Sequence, residues 1–260
     1  MSLIVQDLLR HYGGVKALDG VSFEVPSGQC VALIGPNGAG KSTCFACLAG
    51  QQVPGRGHVF WQGHDVTAWP PAKRQALGMA RTFQVAQTFE ALTVQQNLQL
   101  VLARERLSWW DRLAGRHTAL ALKGLAQVGL AEQAQMVVAD LPYGAKKRLE
   151  LAMALAGLPA QGERILLLDE PAAGLAPAER SAMMALVRQV ATGGVTVLYT
   201  EHNMDAVFGV ADRVLVLIQG RLVADGTPEL VAQDPQVRER YLGRDFDMSQ
   251  GMKGRLDARS

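Results

Sequence analysis

Short β-branched and apolar runs alternate along this chain with longer helical patterns, the arrangement expected of an α/β sheet. Strand-like runs fall at residues 4–9, 21–25, 30–34, 58–61, 165–168, 196–199 and 214–218. The run Ile165-Leu166-Leu167-Leu168 has no polar alternation, as a parallel strand covered on both faces requires. Residues 177–191 read as a helix, with Pro177 at the start and Gly193-Gly194 beyond the end. From about residue 85 to 158 the chain is rich in Ala, Leu, Gln and Arg with few strand-like runs, which predicts a mostly helical insertion. Within it, Trp109 and Trp110 lie in the charged stretch 104–116, read as a helix end or loop. That stretch suits ordinary amphipathic packing or contact with a partner or membrane surface. After Gly243 the chain turns polar and mixed in charge, so residues 244–260 are expected to form a flexible tail.

Composition narrows the class. With 260 residues, 48% of them hydrophobic, the chain can bury the core of one large domain with a subdomain. The 26 basic and 24 acidic residues nearly cancel, which argues against a nucleic-acid partner. No apolar run of about 18 residues predicts a transmembrane helix. The start, MSLIVQDLLRHYGG, lacks the features of a signal peptide, so a cytosolic protein is expected. Cys44 and Cys47 have the spacing of a redox or metal pair. They share a face of a predicted helix with no second Cys pair or His cluster nearby, and packing is the expected role.

The chemistry begins at GPNGAGKST, Gly35 to Thr43, directly after the run at 30–34 and before a helical pattern. This strand–loop–helix context is what a phosphate-binding loop requires. Gly35, Gly38 and Gly40, with Pro36, Asn37 and Ala39 between them, let the backbone curl so that successive N–H groups converge on phosphate oxygens. Lys41 supplies a cation for the β- and γ-phosphates of a nucleotide, and the Ser42 hydroxyl can ligate Mg²⁺. The run at 165–168 delivers Asp169 and Glu170 to a strand's C-terminal end, where open α/β sheets bind ligands. Asp169 can hold Mg²⁺, directly or through water, and Glu170 can orient and deprotonate the attacking water. These motifs make the chain a P-loop NTPase.

Further motifs in the same order resemble the ABC ATPase family from about Leu3 to Gly243. ARTFQ places Gln84 at the family's Q-loop glutamine, which the resemblance implies reaches Mg²⁺ and the attacking water. LPYGAKKRLELAMAL, from Leu141, is similar to the signature segment, with Tyr143 and Gly144 implied to meet nucleotide. PAAGLAP, Pro171 to Pro177, resembles the D-loop. YTEHNMD places His202 at the switch histidine, implied to contact the γ-phosphate and hold Glu170 and water. Tyr12, in RHYGG, resembles the aromatic residue that stacks on adenine. The resemblance implies a single ABC ATPase domain. It consists of a P-loop core at 1–84 and 159–243, an antiparallel β subdomain and a helical subdomain at 85–158. It also implies two such subunits packed head to tail with ATP between them.

YGGVKALDGVSFEV, GMARTFQ, DEPAAGL, AVFGVADRVLVLIQGRLVADGTP and RERYLG resemble the branched-chain, or hydrophobic, amino-acid importers. That branch implies two membrane permease subunits, an external solute-binding protein and a place on the cytoplasmic face of the membrane. Urea, amide and other small-solute importers share much of the pattern. Phe83 and Phe89, beside Gln84, are candidate permease contacts, with core packing the expected role for each. Two departures stand out. Pro142 replaces the signature serine, with Ala145 in place of its glutamine, and Ala176 replaces the D-loop acid or amide. They suggest a heterodimer with one weaker ATP site, although a homodimer with both sites working is open. The alternatives are a nucleotide-binding regulatory subunit with little hydrolysis, an exporter subunit, and a repair or translation ABC protein.

Overall fold

The computed structural model describes residues 2–82, 88–103 and 117–243. Two sheets carry the fold. The first is four-stranded and antiparallel, in the order β2-β1-β4-β5, from β1 (Ser2–Tyr12), β2 (Val15–Pro26), β4 (Arg56–Trp61) and β5 (His64–Asp65). The second has the order β10-β9-β3-β8-β7-β6. It contains β3 (Cys30–Ile34), β6 (Met79–Arg81), β7 (Ile165–Asp169), β8 (Thr196–Thr200), β9 (Arg213–Ile218) and β10 (Arg221–Gly226). All its pairings are parallel except β9 with β10.

All seven expected strands are present, several of them longer than their apolar runs. The apolar β7 is explained by its two coverings: Leu166 and Leu168 enter one core, Ile165 and Leu167 the other. Strand β3 divides in the same way, Ala32 and Ile34 against Val31 and Leu33. The second core lies between this sheet and the antiparallel one and encloses α1 (Lys41–Leu48) through Phe45 and Leu48. Cys44 and Cys47 are free, buried thiols in that core, as expected for packing residues.

The opposite face is covered by helices. Between β6 and β7 come α3 (Val94–Leu102), α4 (Thr118–Gln127) and α5 (Tyr143–Ala156), which bury Leu98, Leu125 and Leu149 together. Helix α3 starts at a capping box: Thr93 Oγ1 accepts from the Gln96 N–H at 3.1 Å, and Gln96 Oε1 from the Thr93 N–H at 2.9 Å. Helix α6 (Pro177–Thr192) ends at Gly193, and α7 (Met204–Val210) follows β8. Phe89 departs from expectation: the residue is 55% exposed. The buried Asn97 faces inward and holds the Phe89 backbone through N–H and carbonyl, at 2.8 and 3.1 Å. Phe83, Gln84, Trp109, Trp110 and the tail from residue 244 lie outside the described residues.

Helix α2 (Pro71–Ala76) carries Arg74, which is 1% exposed. Its guanidinium donates to the Cys47 and Leu48 carbonyls at the end of α1, at 2.8 and 2.5 Å, and to those of Trp69 and Thr67. A helix leaves its last carbonyls without internal partners, and Arg74 supplies them. Burial lowers its pKa to about 10, so it stays charged at neutral pH.

Candidate active site

The parallel strands β3, β6, β7 and β8 point their C-terminal ends the same way; Gly35 follows β3, Asp169 ends β7, and His202 lies two residues beyond β8. From β3 the chain enters the loop Gly35 to Gly40 and then α1, whose N-cap is Gly40 at φ 104°. Two glycines are dictated by close approach. A Cβ on Gly35 would lie 2.0 Å from the Leu217 carbonyl oxygen, and one on Gly40 would lie 2.2 Å from that of Ala17. The loop is braced from behind by the Gly220 N–H on the Ala39 carbonyl, at 2.9 Å.

Pro36, Asn37 and Gly38 form the outer rim of the loop, while Ala39 is buried. The Lys41 ammonium donates to the Gly35 and Pro36 carbonyls at 2.6 and 3.1 Å. Burial lowers its pKa, opposed by the negative charges of Glu170 and Asp169. Ser42 is exposed and Thr43 half-buried in the first turn of α1.

Asp169 ends β7 with both oxygens engaged. Oδ1 accepts from Thr200 Oγ1 at 2.8 Å, and Oδ2 from Arg81 Nη2 at 2.7 Å. Glu170 follows in a left-handed conformation, φ 48°, a strained setting for a non-glycine residue. Its N–H is captured by Thr200 Oγ1 at 3.0 Å, and its Oε1 lies 2.7 Å from His202 Nε2. Strand β8, between β3 and β7, therefore brings the histidine to the carboxylate. Nothing in the sequence marks Thr200 and Arg81, since their role depends on strand order.

Tyr12 ends β1, 43% exposed. Its hydroxyl donates to Gln52 Oε1 just past α1, and the Arg10 guanidinium lies 5.0 Å from its ring centroid. Tyr143 and Gly144 open α5 against the segment after Glu170. A Cβ on Gly174 would meet Tyr143 Cε1 at 3.2 Å, and one on Gly144 would meet Glu179 Oε1 at 2.7 Å. Pro142 is the N-cap of α5, and no side chain there accepts a first-turn N–H. Ala176 is the N-cap of α6, also without a side-chain acceptor; Glu179 Oε2 accepts the Ala176 N–H at 3.3 Å.

The donor set suits Mg²⁺: a hydroxyl at Ser42 and a carboxylate at Asp169, to be completed by phosphate oxygens. Mg²⁺ is commonly held by one or two carboxylates plus substrate phosphates. Among the described residues no cluster of three or more His, Cys, Asp or Glu could cage an ion.

Residues 18–173 match the ABC transporter family model, which spans the phosphate loop and both acids. The chain belongs to the ABC transporter family. Residues 221–247 match a second model, described as branched-chain amino acid ATP-binding cassette transporter. The cassette is 37% identical to the high-affinity branched-chain amino acid transport ATP-binding protein BraF of Pseudomonas aeruginosa, covering 93% of this chain and 97% of that one. It is 35% identical to LivG of Escherichia coli, with the same coverages. Among solved structures, the ADP conformation of an ATP-binding cassette of an ABC transporter superposes with a TM-score of 0.82. The identity is 30%, over 94% of this chain and 100% of that one. A nucleotide-free cassette gives 0.81 at the same identity. The cassette is an ATPase with the mixed α/β fold of this family, and its antiparallel sheet accompanies the parallel one as the resemblance implied.

Proposed function

We propose that this cassette powers import of branched-chain or related hydrophobic amino acids through partner permeases. The support for hydrolysis, as against simple nucleotide holding, is the 2.7 Å contact of His202 with Glu170 beside the phosphate loop. In this reading Gly35, Gly38, Gly40 and the start of α1 direct backbone N–H groups at the phosphates, and Lys41 leaves its loop carbonyls for the γ-phosphate. Glu170 takes a proton from the attacking water, while His202 holds the carboxylate's position and faces the γ-phosphate. Mg²⁺, when bound through Ser42 and Asp169, would neutralise charge on the phosphate oxygens, and Gln84, outside the described residues, keeps the role of reaching the ion and the attacking water that the resemblance implies. Tyr12 stacks on adenine, with Arg10 at the ring. The amino-acid cargo is supported by the relatives, named as branched-chain amino acid transport proteins and alike over 93% of this chain. Among the described residues no helix is long and apolar enough to cross a membrane, which suits a peripheral subunit on the cytoplasmic face. Two permease subunits, a second ATPase and an external binding protein complete the assembly.

A heterodimer is favoured by one observation: the N-cap of α5 is Pro142, which offers no side-chain acceptor or hydroxyl. Tyr143, Gly144 and this weakened signature would serve the partner's nucleotide. Lys41, Asp169 and Glu170 would then form the stronger site with the partner's signature. The test is ATP hydrolysis by this subunit alone and mixed with a candidate partner ATPase, with Glu170→Gln as control. Stimulation by the partner that vanishes with Glu170→Gln supports the reading. Full activity alone points to a homodimer, and no hydrolysis with any partner to a regulatory subunit.

A further inference from the structure

Strand β8 and the turn after it present three consecutive residues, and each holds the segment around Glu170. Thr200 takes the Glu170 N–H and donates to Asp169, and His202 meets the Glu170 carboxylate. Between them is Glu201, 5% exposed. Its Oε1 accepts the N–H of Ala172 at 3.2 Å, two residues beyond Glu170. Its Oε2 accepts the N–H of His202 at 3.0 Å and of Asn203 at 3.4 Å. One oxygen serves the loop that carries Glu170, and the other serves the loop that carries His202. Only an ionised carboxylate is acceptor on both arms, and bonds from N–H to a charged acceptor are the stronger kind.

We propose that Glu201 is a positioning residue for ATP hydrolysis. It ties the Glu170 loop to the His202 loop and so maintains the contact between the two side chains. The proposal rests on the reading that Glu170 and His202 carry hydrolysis. A glutamine at 201 keeps the shape but turns an NH₂ toward a backbone N–H on one arm. One loop is then released, and misplacement of a reacting group by about 1 Å can cost on the order of 100-fold in rate.

The test uses the assembled transporter with Glu201→Gln, alone and combined with His202→Ala. The readouts are kcat, KM for ATP and the thermal midpoint. The expected result is a kcat lowered about 10- to 100-fold with KM near that of the wild type and a midpoint that falls but stays well above the assay temperature. In the His202→Ala background Glu201→Gln should cause no further loss, since the residue acts through the contact already removed. Wild-type kcat overturns the proposal, as does a kcat loss matched by a higher KM, or one that comes only with a midpoint near the assay temperature. A full additional loss on top of His202→Ala overturns it too. If Glu201→Gln does not fold, Glu201→Asp, charged but a methylene too short to span both loops, takes its place with the same criteria. Wild-type turnover by His202→Ala alone would instead overturn the reading of His202, and the positioning role with it.

Discussion

Arg81 donates to Asp169 Oδ2 at 2.7 Å, and each side chain is only 11% exposed. The guanidinium also reaches Gln51 Oε1 and lies 5.9 Å from the Phe45 ring centroid, so β6, α1 and β7 meet at one cation. Removing one partner of a buried pair leaves an uncompensated charge, at a cost of about 3 kcal/mol. Arg81→Met is therefore expected to lower stability by roughly that amount in EDTA. Mg²⁺ with ADP should recover much of the loss, because a cation returns to Asp169. Urea denaturation with and without Mg²⁺·ADP checks both halves.

Arg74 predicts a loss of a different kind. Four carbonyls accept from its guanidinium, two of them at the end of α1. Arg74→Met is expected to cost about 2–4 kcal/mol of unfolding free energy. Arg74→Lys should recover little, since one ammonium cannot reproduce the planar fork. Denaturation midpoints of the two variants, measured side by side, decide this.

Pro142 gives a prediction of improvement. Its backbone, φ −57° and ψ 150°, is close to that of an ordinary N-cap, so Pro142→Ser introduces no clash with the local conformation. The hydroxyl can accept a first-turn N–H and should stabilise α5 by about 1 kcal/mol. In the proposed heterodimer, Pro142→Ser should also raise total ATP turnover by increasing the contribution of the site that receives this chain's signature. Turnover in the mixture, with Glu170→Gln in this chain to isolate the partner's site, is the measurement.

The three cysteines set an alkaline limit on stability. Burial raises all three thiols, Cys30 to about 12 from the ordinary 9.0, with Cys44 and Cys47 shifted the same way. The folded chain thus keeps thiols that the unfolded chain ionises. Their contribution is complete below pH 9 and is lost as pH climbs from there toward 12. Melting curves from pH 8 to 11 should fall in this window, and the fall should be smaller in Cys30→Ala. At neutral pH a thiol reagent should label the three only after denaturation.

The sequence pattern was sufficient for elements whose signal is local. Ile165 to Leu168 reads as a doubly covered strand because every position is apolar, and GPNGAGKST reads as a phosphate loop because its neighbours are a strand and a helix. Strands β5 and β6 have only two and three residues, too few for any periodicity, and β10 is half-exposed with a polar end. Missing β6 concealed Arg81, whose partner lies 88 positions away. Glu201 was unreadable for another reason: its partners are backbone N–H groups, which leave no trace in residue identity. Phe89 escapes the core packing its apolar ring suggests because Asn97 anchors its backbone while the side chain stays exposed.

Glu170 occupies a left-handed backbone conformation at φ 48°, which glycine adopts freely and a glutamate adopts at a cost of about 1–2 kcal/mol. Glu170→Gly is thus expected to unfold at a higher temperature than the wild type while hydrolysing almost no ATP. Selection for thermal resistance alone would favour that replacement and yield a robust but idle motor. Any programme of stabilising this cassette by statistics of backbone preference should therefore exempt position 170, where fitness and ruggedness pull in opposite directions.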